Sequence, residues 1–162
     1  MKVAVLTISD KGSRGEREDE SGKILKEMIE KNDAEVVFYE IIPDEKRLIA
    51  KELRCLVDNE EIDLILTTGG TGLAPRDVTP EATLSVIDKE VPGLAEAMRA
   101  ESLKKTPNAM LSRAVSGIKG KTLIINLPGS PKAVKECFEV VFPAIPHGIE
   151  ILKGEGGECA SK

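Results

Sequence analysis

The sequence predicts one α/β domain, a mostly parallel doubly wound sheet in a three-layer α/β/α arrangement. Three observations carry that expectation. Four short runs rich in β-branched residues (3–9, 36–42, 62–67 and 122–126) are almost continuously apolar, the pattern of strands buried on both faces of a parallel sheet. Segments with helical apolar spacing lie between several of them. A chain of 162 residues, 41% hydrophobic and 31% charged, is long enough to bury a core and too apolar for disorder.

Taken in order, the first strand runs from Val3 to a polar end at Ser9-Asp10. The stretch 10–20 carries no core pattern and reads as a solvated loop. Ile24, Leu25, Met28 and Ile29 then share one helix face. After the second strand, Ile49, Leu53, Leu56 and Val57 mark another helix. After the third, residues 79–89 and 92–105 look helical, opened by Thr-Pro and Pro-Gly. Beyond the fourth strand, Val134, Cys137, Phe138 and Val141 form a stripe. Ile145, Ile149 and Leu152 form a last one, with Gly154 as its stop. Residues 1–153 are thus the expected domain, and 154–162 a frayed tail.

Absences narrow the chemistry. With His147 the only histidine, a Ser-His-Asp triad or a histidine-rich metal site has no material. Cys55, Cys137 and Cys159 match no zinc spacing and no disulfide framework, and the first two are expected in core packing. A net charge of −5 with 2% aromatic residues argues against nucleic acid. No apolar stretch approaches the ~18 residues of a membrane span. The start lacks the basic flank and apolar core of a signal peptide, so a cytoplasmic protein is expected.

In an open parallel sheet, ligands bind beyond the carboxyl ends of the strands. The residues placed there are informative. Ser9, Asp10 and Gly12 follow the first strand, and Pro43-Asp44 the second. Gly69-Gly70-Thr71-Gly72 follows the third, with Asp77 a few residues on, and Pro128-Gly129-Ser130 follows the fourth. Glycines let backbone N–H groups approach an anion, although Gly69–Gly72 also fits a plain turn. Ser130 before Pro131 is an N-cap, and its helix would aim a positive end at the same edge. Asp44 reads either as the cap of a helix beginning near Glu45 or as a ligand. Asp77 reads as a ligand or as a turn residue bonding its own backbone, and Asp10 stands in the same position. Together, carboxylates beside glycine loops are what Mg²⁺ between protein and phosphates requires. Ser112 has no activating base in view, so it is expected to hydrogen-bond rather than attack.

These motifs, in this order, resemble the MogA/MoaB family of molybdenum-cofactor proteins, which includes the pterin-binding domains of gephyrin and its plant counterpart. The match runs through Thr67–Gly72, the string Arg76-Asp77-Val78-Thr79-Pro80-Glu81-Ala82-Thr83, Pro92-Gly93-Leu94, Leu111-Ser112-Arg113 and Asn126–Pro131. With Ser9-Asp10 and Ile42-Pro43-Asp44 it covers nearly the whole chain to about Leu152. The resemblance implies a homotrimer, or a hexamer of two, that transfers AMP from ATP to the terminal phosphate of molybdopterin with Mg²⁺ and releases pyrophosphate. The product would pass to a molybdate-inserting (or tungstate-inserting) enzyme. Asp44 and Asp77 then stand where the family keeps its functional acids. Ser112 matches a serine near the bound pterin-nucleotide, and the glycine loops match the phosphate walls. Ser130 departs from the Asn or Gln that relatives often carry. A pterin carrier of the same fold is the nearest rival. A flavodoxin-like carrier lacks its aromatic partners here, and a phosphoacceptor receiver lacks its aspartate after the third strand.

Overall fold

The computed structural model describes residues 1–154. The strands are β1 (Lys2–Ile8), β2 (Glu35–Ile42), β3 (Leu64–Thr68), β4 (Lys89–Glu90), β5 (Ser116–Lys119) and β6 (Thr122–Leu127). The helices are α1 (Asp10–Ser13), α2 (Glu20–Lys31), α3 (Lys46–Val57), α4 (Thr79–Leu84), α5 (Pro92–Leu103), α6 (Pro131–Val141) and α7 (Ile145–Lys153), with 3₁₀ turns at Pro107–Leu111 and Phe142–Ala144. Residues 155–162, most of the expected tail, lie outside the described residues. Gly154, the expected stop, caps α7 in the left-handed region at φ 76°.

One six-stranded sheet runs β2-β1-β3-β6-β5-β4. The first four strands are mutually parallel, while β5 and β4 join antiparallel at the edge. The α/β/α expectation holds. Alternation along each strand sends side chains to opposite faces. Val3, Val5, Leu64, Leu66, Leu123 and Ile125 pack against α2, α5, α6 and α7. Ala4, Leu6, Ile8, Ile65 and Ile124 pack against α3 and α4.

Some local expectations fail. Strand β2 sits at an edge and is mostly exposed or half-buried, not covered on both faces. The helix expected over 79–89 ends at Leu84, and the chain then turns into β4. The stretch 10–20 is no plain loop, since it forms α1 and then Asp19, the buried N-cap of α2. Cys137 is buried as expected, but Cys55 is exposed on α3.

The connections leave β1 toward β2 on one side and return to β3 on the other. The winding therefore reverses between β1 and β3, where crevices open at the carboxyl ends of a parallel sheet. Among the described residues no helix is long and apolar enough to cross a membrane.

Candidate active site

Two cavities open along the carboxyl ends of the strands. The larger, about 690 Å³, lies at the reversal point and is walled by Ser9, Gly12, Asp44, Gly69, Gly70, Asp77, Gly129 and Ser130. The smaller, about 310 Å³, lies on the other side of the same loops and takes Thr71, Gly72, Ser112 and Pro128. The site residues expected from sequence thus come together, but around two chambers. Asp10 lines neither, because Arg76 takes its carboxylate, with Nε 2.6 Å from Oδ2 and Nη2 2.8 Å from Oδ1.

Local sequence explains the shape. Gly69 and Gly70 turn the chain sharply after β3 with φ of 102° and 65°, a region that costs other L-residues energy. A Cβ on Gly70 would fall 2.3 Å from Thr79 Oγ1 and 3.2 Å from Asp44 Oδ1. Thr79 Oγ1 donates to the Gly69 carbonyl at 2.9 Å, and Thr68 Oγ1 donates to the Pro128 carbonyl at 2.8 Å, which ties the two loops. Gly69 spends its N–H on the Leu127 carbonyl, 3.2 Å away, so it is not free to bind an anion as the sequence reading had it. Gly70, Thr71, Gly72, Gly129 and Ser130 donate their N–H to no protein acceptor among the described residues. Ser130 caps α6 by accepting from the Ala133 N–H at 3.2 Å, and that helix start faces the larger cavity.

The acids divide by environment. Asp44 is not the cap of α3: Glu45 holds that position, with no side-chain bond. Asp44 Oδ2 accepts from the Asp10 N–H at 2.8 Å, and the Asp44 N–H returns a bond to Asp10 Oδ1 at 3.1 Å. Burial pushes the Asp44 carboxyl above the ordinary aspartate range, and the Asp10 and Asp77 carboxylates push the same way against the Asp10 N–H and Arg76. Asp10 is held below that range, chiefly by Arg76. Asp77 is the turn residue of one of its two readings, since Oδ2 accepts from the Ala74 N–H at 3.0 Å, and it also lines the larger cavity.

A divalent cation fits this donor set. Among the described residues no three or more His, Cys, Asp or Glu gather into a metal-holding group. Mg²⁺ characteristically takes only one or two carboxylates and fills the rest with water and substrate phosphate. Asp44 and Asp77 provide hard oxygens, and a cation would offset both the burial and the carboxylate repulsion that raise Asp44.

Sequence reasoning missed the far wall of the larger cavity, formed by Thr7 and Arg17–Ser21. Asp19 is its centre. Oδ2 accepts from Thr7 Oγ1 and Tyr39 OH, each at 2.6 Å, and Oδ1 from Gly22 N–H at 2.9 Å and Ser21 Oγ at 3.1 Å. Burial alone would raise its pKa, but these four donors outweigh it and hold the carboxyl below the ordinary range. The cap spacing Asp19-Glu20-Ser21-Gly22 before the first helical stripe was the available signal. The smaller cavity's Met98, Arg99 and Lys105 were also unmarked, because residues 92–105 read from sequence only as a helix opened by Pro-Gly, with nothing to single out a ligand-facing side.

The family described as "Probable molybdopterin binding domain" matches residues 4–147. A molybdopterin adenylyltransferase of Helicobacter pylori is 50% identical over 155 residues, spanning 94% of this chain and 88% of that protein. The molybdenum cofactor synthesis protein cinnamon of Drosophila melanogaster is 51% identical over 149 residues, which are 91% of this chain and 25% of that longer protein. The crystal structure of the molybdopterin biosynthesis enzyme MoaB from Thermus thermophilus superposes with a TM-score of 0.89 at 53% identity, covering 97% of this chain and 99% of that one. The glycine loops, the paired acids and these likenesses agree, and the chain belongs to the MogA/MoaB family of molybdopterin-binding domains.

Proposed function

We propose that residues 1–153 form a molybdopterin adenylyltransferase, which moves AMP from ATP onto the terminal phosphate of molybdopterin and releases pyrophosphate. The observation that carries this reading is the pair of unlike cavities meeting at one set of glycine loops. The larger is walled by glycines, hydroxyls and carboxylates and suits the triphosphate. The smaller is lined by Met98, Ala109, Leu111 and Ala114 together with polar residues that include Arg99 and Ser112, and suits a flat heterocycle. Relatives named molybdopterin adenylyltransferase are 41–50% identical over most of the chain.

A terminal phosphate oxygen of the pterin attacks the α-phosphorus of ATP, and the bond from that phosphorus to the bridging oxygen breaks as pyrophosphate departs. No protein nucleophile is needed, so the chain's part is positioning and charge. The free N–H groups of Gly70–Gly72 and Gly129–Ser130, with the start of α6, hold phosphate oxygens. Asp44 and Asp77 would hold Mg²⁺, which supplies neutralisation of phosphate charge when bound. This local arrangement lets a chain of net charge −5 bind a polyanion.

Purified protein given molybdopterin and Mg-ATP should release pyrophosphate one for one with adenylylated pterin, and EDTA should stop it. Pterin binding without pyrophosphate release would leave a carrier of the same fold. The reading extends to a homotrimer or hexamer in the cytoplasm that hands its product to a metal-inserting enzyme. Sedimentation equilibrium at micromolar protein tests the assembly, and a monomer or simple dimer would refute it.

A further inference from the structure

We propose that Arg113 is a positioning residue that couples the two cavities by fixing the loop under Asp77 to the segment lining the smaller chamber. The proposal rests on the transferase reading above. The Arg113 guanidinium donates from Nε to the Gly72 carbonyl at 2.7 Å, from Nη2 to the Asp77 carbonyl at 2.5 Å, and from Nη1 to the Glu81 carboxylate. Its own N–H donates to the Thr71 carbonyl at 3.0 Å. One side chain therefore grips both ends of the loop between Gly72 and Asp77.

Its neighbour Ser112 faces the smaller cavity. From the far side, Arg99 Nη1 holds the segment by the Ala114 carbonyl at 2.9 Å and the Ser112 carbonyl at 3.4 Å. The connection runs unbroken from Arg99 on α5, through residues 112–114, to the turn that presents Asp77. Glu81 binds Arg113 through one oxygen, while the other is enclosed without a hydrogen-bond partner among the described residues. That leaves the guanidinium as the charge compensating this carboxylate.

Only arginine fits the task. Three acceptors lie in three directions, which a planar fork reaches at once and a lysine ammonium cannot. A ring settling against Ser112 bears on the same segment that sets the place of Asp77, so occupancy of one chamber tightens the other. By linkage the coupling is equal in both directions.

Two measurements on Arg113→Lys test this. Amide exchange should quicken at Ala74, Asp77 and Thr79, whose N–H groups close this loop, while the amides of β3 keep their protection. In adenylyl transfer, kcat should fall roughly 10- to 100-fold with KM for the pterin changed less than about threefold, the mark of misplacement rather than lost binding. In an Asp77→Asn background the lysine substitution should then add nothing. Unchanged loop exchange, or losses that multiply in the double variant, would overturn the proposal. A wild type that turns over no pterin would sink the transferase reading instead, and the exchange result would still decide the clamp. Should Arg113→Lys not fold, Glu81→Gln removes the charge anchoring the third donor and is read by the same two measurements.

Discussion

Arg76 grips Asp10 through both carboxylate oxygens, and so binds the turn before α4 to the start of α1. The pair is largely exposed on the arginine side, so it adds little stability. Its effect is electrostatic: Arg76 lowers the pKa of Asp44, which burial and two neighbouring carboxylates raise. Removing the arginine therefore raises the Asp44 pKa further and lowers its ionised fraction at any given pH. Arg76→Ala should move the acid limb of the transfer rate toward higher pH, with a melting change of about 4 °C or less. A pH–rate profile that overlays the wild type would refute the coupling.

Asp44→Asn should leave the fold and pterin affinity intact and cut adenylyl transfer by about 100-fold or more, the scale of a lost charge-stabilising group. The capping role that would have made it a stability variant belongs to Glu45. Calorimetric titration should also show weaker Mg²⁺ binding. Normal turnover in this variant would remove Asp44 from the machinery.

Gly70→Val and Gly129→Val should each abolish Mg-ATP binding in isothermal titration. At Gly70 a side chain meets Thr79 and adopts a φ of 65°, costing about 1–2 kcal/mol as well. At Gly129 a Cβ would press to 3.1 Å from the Gly69 backbone. Cys55→Ala is the control: exposed on α3, it should shift stability by no more than about 0.5 kcal/mol and bind normally. Wild-type affinity in both valine variants would reduce these glycines to chain geometry.

Asp19 sets part of the acid stability. Its folded pKa lies below the ordinary value of 3.8, so its contribution is complete above that value and is lost as pH falls through the lowered one. Urea unfolding of Asp19→Asn, followed from about pH 5 to pH 2, should show a flatter loss than the wild type. Parallel curves would contradict the assignment.

The sequence makes the sheet legible where burial is complete, as in β1, β3 and β6, whose apolar runs have no other use. Strands β4 and β5 escape because two and four residues, such as Lys89-Glu90, carry no period. The paired acids and glycines were visible because strand order places them at one edge. Whether Asp44 capped a helix or faced a ligand was not, because both roles use the same residue type at the same spot. Asp19 was hidden for the opposite reason: charged neighbours at Glu16, Arg17, Glu18 and Glu20 mask the one carboxylate that folds inward.

The two cavities divide one ridge between them: Gly69, Gly70, Gly129 and Ser130 line the larger, and their chain neighbours Thr71, Gly72 and Pro128 line the smaller. For inhibitor chemistry, two weak fragments seated on either side of this ridge could be joined by a short tether. Each would then hold the other at an effective concentration of about millimolar or higher, raising avidity by roughly 10²–10⁴ without a new protein contact.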